Sequence, residues 1–161
     1  MQTPRETIHR TRVTADTSSL ISLGTANVLE KSLAVVEIIS PEEVKLELHA
    51  TAQFADVHGR AASEALRLIE TGQIVVCSLA SSYQMDILCE QYRRLDRGEA
   101  AVILLAEQER TEAVLCDDFK AWSQMSQATD KQIYLSVYAI SRLLRACLRS
   151  PLNTDENRRL G

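Results

Sequence analysis

Carboxylates stand out in this chain by where they fall. Asp16 follows the run Val13-Thr14-Ala15, and Asp117-Asp118 follows Ala113-Val114-Leu115-Cys116. If both runs are strands of an open parallel sheet, acids at their carboxyl ends lie where such sheets bind ligands. Two further acids share the helical period of apolar neighbours. Glu47 is on the line of Val44 and Leu48, and Glu99 on that of Val102, Ile103 and Ala106. A charge on or beside a core-facing stripe is costly unless something cationic meets it. Oxygen ligands without His or Cys favour a hard cation, Mg²⁺ or Mn²⁺, over zinc or copper.

Each acid also has a plainer reading. Asp16, Asp117 or Asp118 could cap a following helix. Glu99 could be the third-position partner of a capping Asp96, and Glu47 a solvated residue at a helix edge. Glu42 and Glu43 belong to the helix start Ser40-Pro41-Glu42-Glu43, with Ser40 as cap and Pro41 in the first helical position. Glu107, Glu109 and Glu112 read as solvated.

Several other chemistries lack their residues. Glycine occurs only at 24, 59, 72, 98 and 161, so neither G-x-G-x-x-G nor a Walker A loop can be formed. There is no G-x-S-x-G elbow, and His9, His49 and His58 have no zinc-ligand spacing. The four cysteines, at 77, 89, 116 and 147, are widely separated in apolar segments and read as reduced core residues.

The elements that must position the acids follow from hydropathy. Strand-length apolar runs at 13–15, 34–39, 74–77, 113–116 and 132–135 alternate with stretches of helical period, the pattern of a parallel sheet with crossover helices. Helices are expected from a Thr17 or Ser18 cap through Leu23, continued by 28–32, and from Ser40 through Leu48. Others are expected over 55–70, from Ser81 through Tyr92, from Asp96 through Ala106, and over 137–148. The stretch 122–130 is polar and without clear period.

The length of 161 residues, with 45% hydrophobic and 25% charged residues, fits one compact domain and not a disordered or fibrous chain. Its core is expected at about 13–148 between polar tails, 1–12 and 151–161. Twenty-two acids against 18 bases give a formal net charge of −4, which excludes a strongly basic nucleic-acid binder but not a local basic patch. No run of about 18 apolar residues is present, and residues 1–12 show no signal-peptide pattern; the cytoplasm is the expected location.

Four segments carry a family resemblance: 13–21 (VTADTSSLI), 41–48 (PEEVKLEL), 95–103 (LDRGEAAVI) and 113–121 (AVLCDDFKA). In order and spacing they resemble the PIN domains, in particular small stand-alone toxins of the VapC type, over roughly residues 13–148. The resemblance implies a three-layer α/β/α fold around a parallel sheet of about five strands. It implies a Mg²⁺- or Mn²⁺-dependent endoribonuclease, with Asp16, Glu47, Glu99 and Asp117 as catalytic acids and metal ligands. Asp118 stands beside them as a further ligand, and Ser18 as a hydroxyl that orients the first acid or the substrate. Cleavage would leave 5′-phosphate and 3′-hydroxyl ends. RNA as substrate, an antitoxin protein as partner and a homodimer are implied as well, the dimer surface lying on the helices between Phe54 and Tyr92. Lys45, Arg60, Arg67, Arg93, Arg94 and Arg97 are candidates for the RNA backbone. Where many relatives carry Gly-Thr before the last helix, this chain has Leu135-Ser136-Val137-Tyr138.

Two other readings compete. A non-catalytic interaction module would keep the fold and receive a partner's Arg or Lys in its acidic pocket, since a carboxylate cluster is also a guanidinium receptor. A receiver-like or flavodoxin-like domain also carries acids at strand ends, but a receiver needs a Lys on a later strand, and none is suitably placed.

Overall fold

The computed structural model describes residues 10–149, and the side chains within that span up to residue 147. Five strands form one sheet: β1 (Thr11–Ala15), β2 (Val36–Pro41), β3 (Val75–Cys77), β4 (Ala113–Leu115) and β5 (Gln132–Tyr134). All are parallel, in the order β3-β2-β1-β4-β5. The helices are α1 (Thr17–Thr25), α2 (Leu29–Ser32), α3 (Glu42–Thr51), α4 (Val57–Glu70), α5 (Tyr83–Gln91), α6 (Arg97–Gln108), α7 (Phe119–Ala128) and α8 (Ser136–Arg149).

The chain moves outward from β1 to β2 to β3, then crosses back to β4 and on to β5. Right-handed crossovers therefore place α1 to α4 on one face and α5 to α7 on the other. Contacts agree: α1 packs on α4 and α8, while α6 lies along β1, β2 and β4 with α5 and α7 beside it. Covered on two sides, α6 is apolar nearly all round, and Ala100 to Ile103, Leu105 and Ala106 are buried. Leu20, Leu23, Ile38, Leu48, Leu68, Ile103, Leu115 and Met125 make the centre of the core.

All five expected strands are present, with shifted ends. Thr11 and Arg12 belong to β1 and not to a polar tail, because Thr11 pairs with Val36 and Arg12 with Glu37. Arg10 is placed as well, its guanidinium donating to the Leu33 carbonyl at 3.0 Å; residues 1–9 and the expected tail 151–161 lie outside the described residues. Strand β2 runs from Val36 to Pro41, later than expected. Ser40 is consequently not a helix cap: it is buried in the strand, and its hydroxyl donates to the Ala15 carbonyl (2.9 Å). Helix α3 starts from Pro41 with no side-chain cap.

Helix α1 is capped by Asp16 and not by Thr17 or Ser18; an Asp16 carboxylate oxygen accepts from the Ser19 amide at 2.8 Å. Residues 28–32 do not continue α1. Asn27, at φ 56°, breaks the chain into the separate α2. The unpatterned 122–130 stretch falls largely in α7, which buries only Ala121 and Met125 and so leaves little period to read. The cysteines are free, but only Cys116 is buried; Cys77 and Cys89 are half-buried and Cys147 is exposed.

Candidate active site

Strand order reverses at β1, whose neighbours β2 and β4 lie on opposite sides. The crevice beyond the carboxyl ends of β1 and β4 is thus the switch point at which open α/β sheets bind ligands. Asp16 leaves β1 there, and Asp118 sits just past β4. Glu47 is brought in by α3, while Asp96 and Glu99 come from the start of α6. These five carboxylates line one cavity of about 270 Å³, whose lining contains no Lys, Arg or His.

Asp16 is the most enclosed of the five, at 6% exposure. Besides the Ser19 amide, the Ser18 hydroxyl lies 2.9 and 2.8 Å from its two oxygens. That same Ser18 oxygen accepts from the Asp117 amide at 3.2 Å, so one hydroxyl links the ends of β1 and β4. Burial raises the Asp16 pKa despite these hydrogen bonds. Glu47 accepts from the Thr17 hydroxyl. Partial burial of its carboxylate raises its pKa, and the charges of Asp96 and Asp16 add to that. Glu99 is pushed up to about 7, first by burial and then by Asp96, Asp118 and Asp16. Cys116, buried beside Asp16, has its pKa raised by burial and is an inert thiol.

The expected site residues separate into two groups. Asp16, Glu47, Glu99 and Asp118 share the acidic crevice, with Ser18 in its wall. Asp117 does not line that crevice. Its carboxylate accepts from the Ser136 amide (2.7 Å) and the Ser136 hydroxyl at the start of α8. Ser136, in the loop where the chain departs from Gly-Thr, thus has a definite partner. Two crevice residues were read in the sequence only as helix caps, Thr17 and Asp96. The capping box expected of Asp96 and Glu99 is formed, the Glu99 amide donating to Asp96 (2.8 Å) and the Asp96 amide to Glu99 (2.9 Å), and it is the same box that brings Asp96 into the crevice. Of the six expected RNA-backbone cations, Arg67 pairs with Glu30 and Arg97 with Asp86.

Among the described residues, no three His, Cys, Asp or Glu side chains stand converged as a metal-holding group. Local bonds account for this. Glu99 is turned back to its cap, Glu47 is held by Thr17, and Asp118 accepts from the Lys120 amide at 2.8 Å. The donor chemistry nonetheless fits a hard divalent cation: the donors are oxygens, three of the acids have raised pKa values, and no base in the lining offsets the charge.

A doubly wound α/β domain with acids around its switch point is the class this fold and crevice define. A family model described as PIN domain matches residues 12–143, and the chain belongs to that family. PIN domains are generally nucleases and typically use divalent metals. Among solved structures, the crystal structure of PAE2754 from Pyrobaculum aerophilum is similar in fold, with a TM-score of 0.59 at 18% identity over 84% of this chain and 90% of that one. No curated protein matches the sequence. Among the described residues no helix is long and apolar enough to cross a membrane.

Proposed function

We propose that this protein is a Mg²⁺- or Mn²⁺-dependent endoribonuclease acting as the toxin of a toxin–antitoxin pair. The carrying observation is the set of five carboxylates around one crevice without a neutralising base. Asp16, Glu47, Glu99 and Asp118 would hold the ion, with Asp117 behind them, its amide on the Ser18 hydroxyl and its carboxylate on Ser136. A divalent ion bound there supplies charge neutralisation at the phosphate and a lowered pKa for the attacking water. Ser18 fixes the Asp16 carboxylate in one orientation, and Thr17 steadies Glu47 until it is drawn inward. Glu99, whose pKa burial pushes up to about 7, would have to be deprotonated to serve as a ligand. Water oxygen would bond to phosphorus as the P–O3′ bond breaks, the nucleophile losing a proton to solvent and the departing 3′ oxygen taking one up, which leaves 5′-phosphate and 3′-hydroxyl ends.

The test is cleavage of a mixed RNA pool by the purified protein, with and without Mg²⁺ or Mn²⁺, alongside Asp16→Asn and Glu99→Gln. Metal-dependent cutting that disappears in both variants is the expected result. A folded protein that neither cuts nor binds metal overturns the reading. One observation favours a second reading, a module that receives an arginine of an antitoxin or other partner: the carboxylates are held apart by local bonds and not converged. In that case an Arg-bearing peptide, and not Mn²⁺, would raise the melting temperature. A homodimer through the helices between Phe54 and Tyr92 is part of the proposal, since Phe54, Val57, Tyr83 and Ile87 are exposed there.

A further inference from the structure

A second cleft, of about 570 Å³, opens next to the acidic crevice between the starts of α7 and α8. Its volume lies within the range of about 300–1,000 Å³ typical of ligand sites. The two clefts are joined by structure. Asp117 lines one and Asp118 the other, and Ser22 stands one helical turn beyond Ser18 on α1. Their linings differ in chemistry. The second cleft presents Phe119 and Tyr138, which are 69% and 60% exposed, together with Arg142 and Arg145.

Tyr138, Arg142 and Arg145 recur at helical spacing on α8, so one face of that helix carries a ring and two guanidiniums. Arg142 lies over the Tyr138 ring, 5.7 Å from its centroid, and donates to the phenolic oxygen at 3.3 Å. Among the described residues neither Arg142 nor Arg145 forms an ion pair. Two large exposed rings carry a hydration cost that a flat apolar partner would relieve. Two guanidiniums beside them, without a carboxylate partner among the described residues, suit anions at a similar spacing.

We propose that this cleft is the strand-binding subsite for a single-stranded nucleic acid, with bases stacking on Phe119 and Tyr138 and phosphates held by Arg142 and Arg145. A stacking platform beside cationic side chains is how unpaired strands are gripped without sequence reading. Position selects this occupant over a protein segment. A polyanion is repelled by the acidic crevice and by a net charge of −4, and these two arginines supply attraction immediately beside it. The choice of ligand rests on the nuclease reading, and it deepens that reading by excluding duplex, whose paired bases offer no free face.

The test is fluorescence anisotropy of fluorescein-labelled oligouridylate and oligoadenylate with the full chain in EDTA, where binding is read without cleavage. Arg142→Ala/Arg145→Ala is expected to weaken binding at least tenfold at low salt and to flatten the log–log salt slope by roughly 1.4, two phosphate contacts on a single strand. Phe119→Ala/Tyr138→Ala is expected to weaken it at least about thirtyfold, with Tyr138→Phe close to wild type. The melting temperatures of these surface variants should stay near that of wild type. Binding unchanged in both double variants overturns the inference, as does duplex bound as tightly as single strand. Wild-type protein that binds neither homopolymer also overturns it, and leaves the cleft to a protein partner. A chain that binds through this cleft but never cuts RNA sinks the nuclease reading alone; one that cuts RNA while the variants bind normally sinks the subsite alone.

Discussion

Asp16 serves two ends at once, as the cap of α1 and as the most buried acid of the crevice. Substitution can separate them. Asparagine keeps an oxygen for the Ser19 amide while removing the charge, so Asp16→Asn should fold at or slightly above the wild-type melting temperature without metal, and should lack the Mn²⁺-induced rise expected of the wild type if the proposed ion binds there. Asp16→Ala also loses the cap, at about 1 kcal/mol, or roughly 2–4 °C in a domain of this size. Thermal scans of both variants with and without Mn²⁺ decide the matter, and a normal Mn²⁺ shift in Asp16→Asn would remove this acid from the ligand set. Gly98 shows a similar economy. A β-carbon there would lie 2.3 Å from a Glu47 carboxylate oxygen, so the glycine keeps open the ground that Glu47 occupies.

Between elements, two joints hold the crevice. The first is the close approach of α1 to α4, where a β-carbon on Gly24 would stand 2.8 Å from the Ala61 β-carbon and 3.1 Å from its α-carbon. Alanine in a helix gains about 1 kcal/mol over glycine, but neither contacting atom can swing aside, and overpacking costs typically 1–3 kcal/mol. Gly24→Ala should therefore lower the denaturant midpoint; a raised midpoint would show that the two helices separate freely. The second joint is Ser136 on Asp117. Ser136→Ala leaves the amide bond but removes the hydroxyl, at a cost of about 1.5–3 kcal/mol for a bond to a charged group. Faster amide exchange in the first turn of α8 than elsewhere should accompany it.

These joints also mark how far the sequence could be read. The five strands were legible because short apolar runs alternate with amphipathic stretches, Asp16 because it ends one such run, and Glu47 and Glu99 because each falls on an apolar helical line. Which of Asp117 and Asp118 enters the crevice was not legible. They differ by one residue after β4, and only the backbone path into α7 turns one toward α6 and the other toward Ser136. The Arg142–Arg145 face escaped notice because an amphipathic last helix looks the same whether its polar side meets water or a ligand. Ser40 was misread because a hydroxyl can either accept from an amide, as a cap does, or donate to a neighbouring strand's carbonyl, as it does here, and the sequence does not tell the two apart.

At the scale of the whole molecule, the crevice sets the pH dependence of stability. A carboxyl with a folded pKa above its unfolded one binds more protons in the native state between the two values. Stability then falls as pH rises through that window. For Glu99 the window runs from 4.5 to about 7, and Asp16 and Glu47 act in the same direction. The metal-free protein should melt higher at the lower end of this window than above it, and Glu99→Gln should flatten the difference. Saturating Mn²⁺ should reverse the trend, because deprotonated ligands bind it best. A metal-free melting temperature that climbs with pH through the window would contradict the crowding of these charges.

The sheet order has a consequence in time. Strand β1 meets β2 only a short way along the chain, Thr11 against Val36, but its other neighbour is β4, Val13 against Ala113. During synthesis the β1-β2-β3 half, with Asp16 and Glu47, can form while the rest is still unmade. The α6 acids follow, and Asp118 arrives only after β4 has threaded in beside β1. Long-range pairing of this kind is the slow part of folding. A chain that stops short of β4 carries Asp16, Glu47, Asp96 and Glu99 but not Asp118, so the acidic lining is completed only once the second half of the sheet has been made.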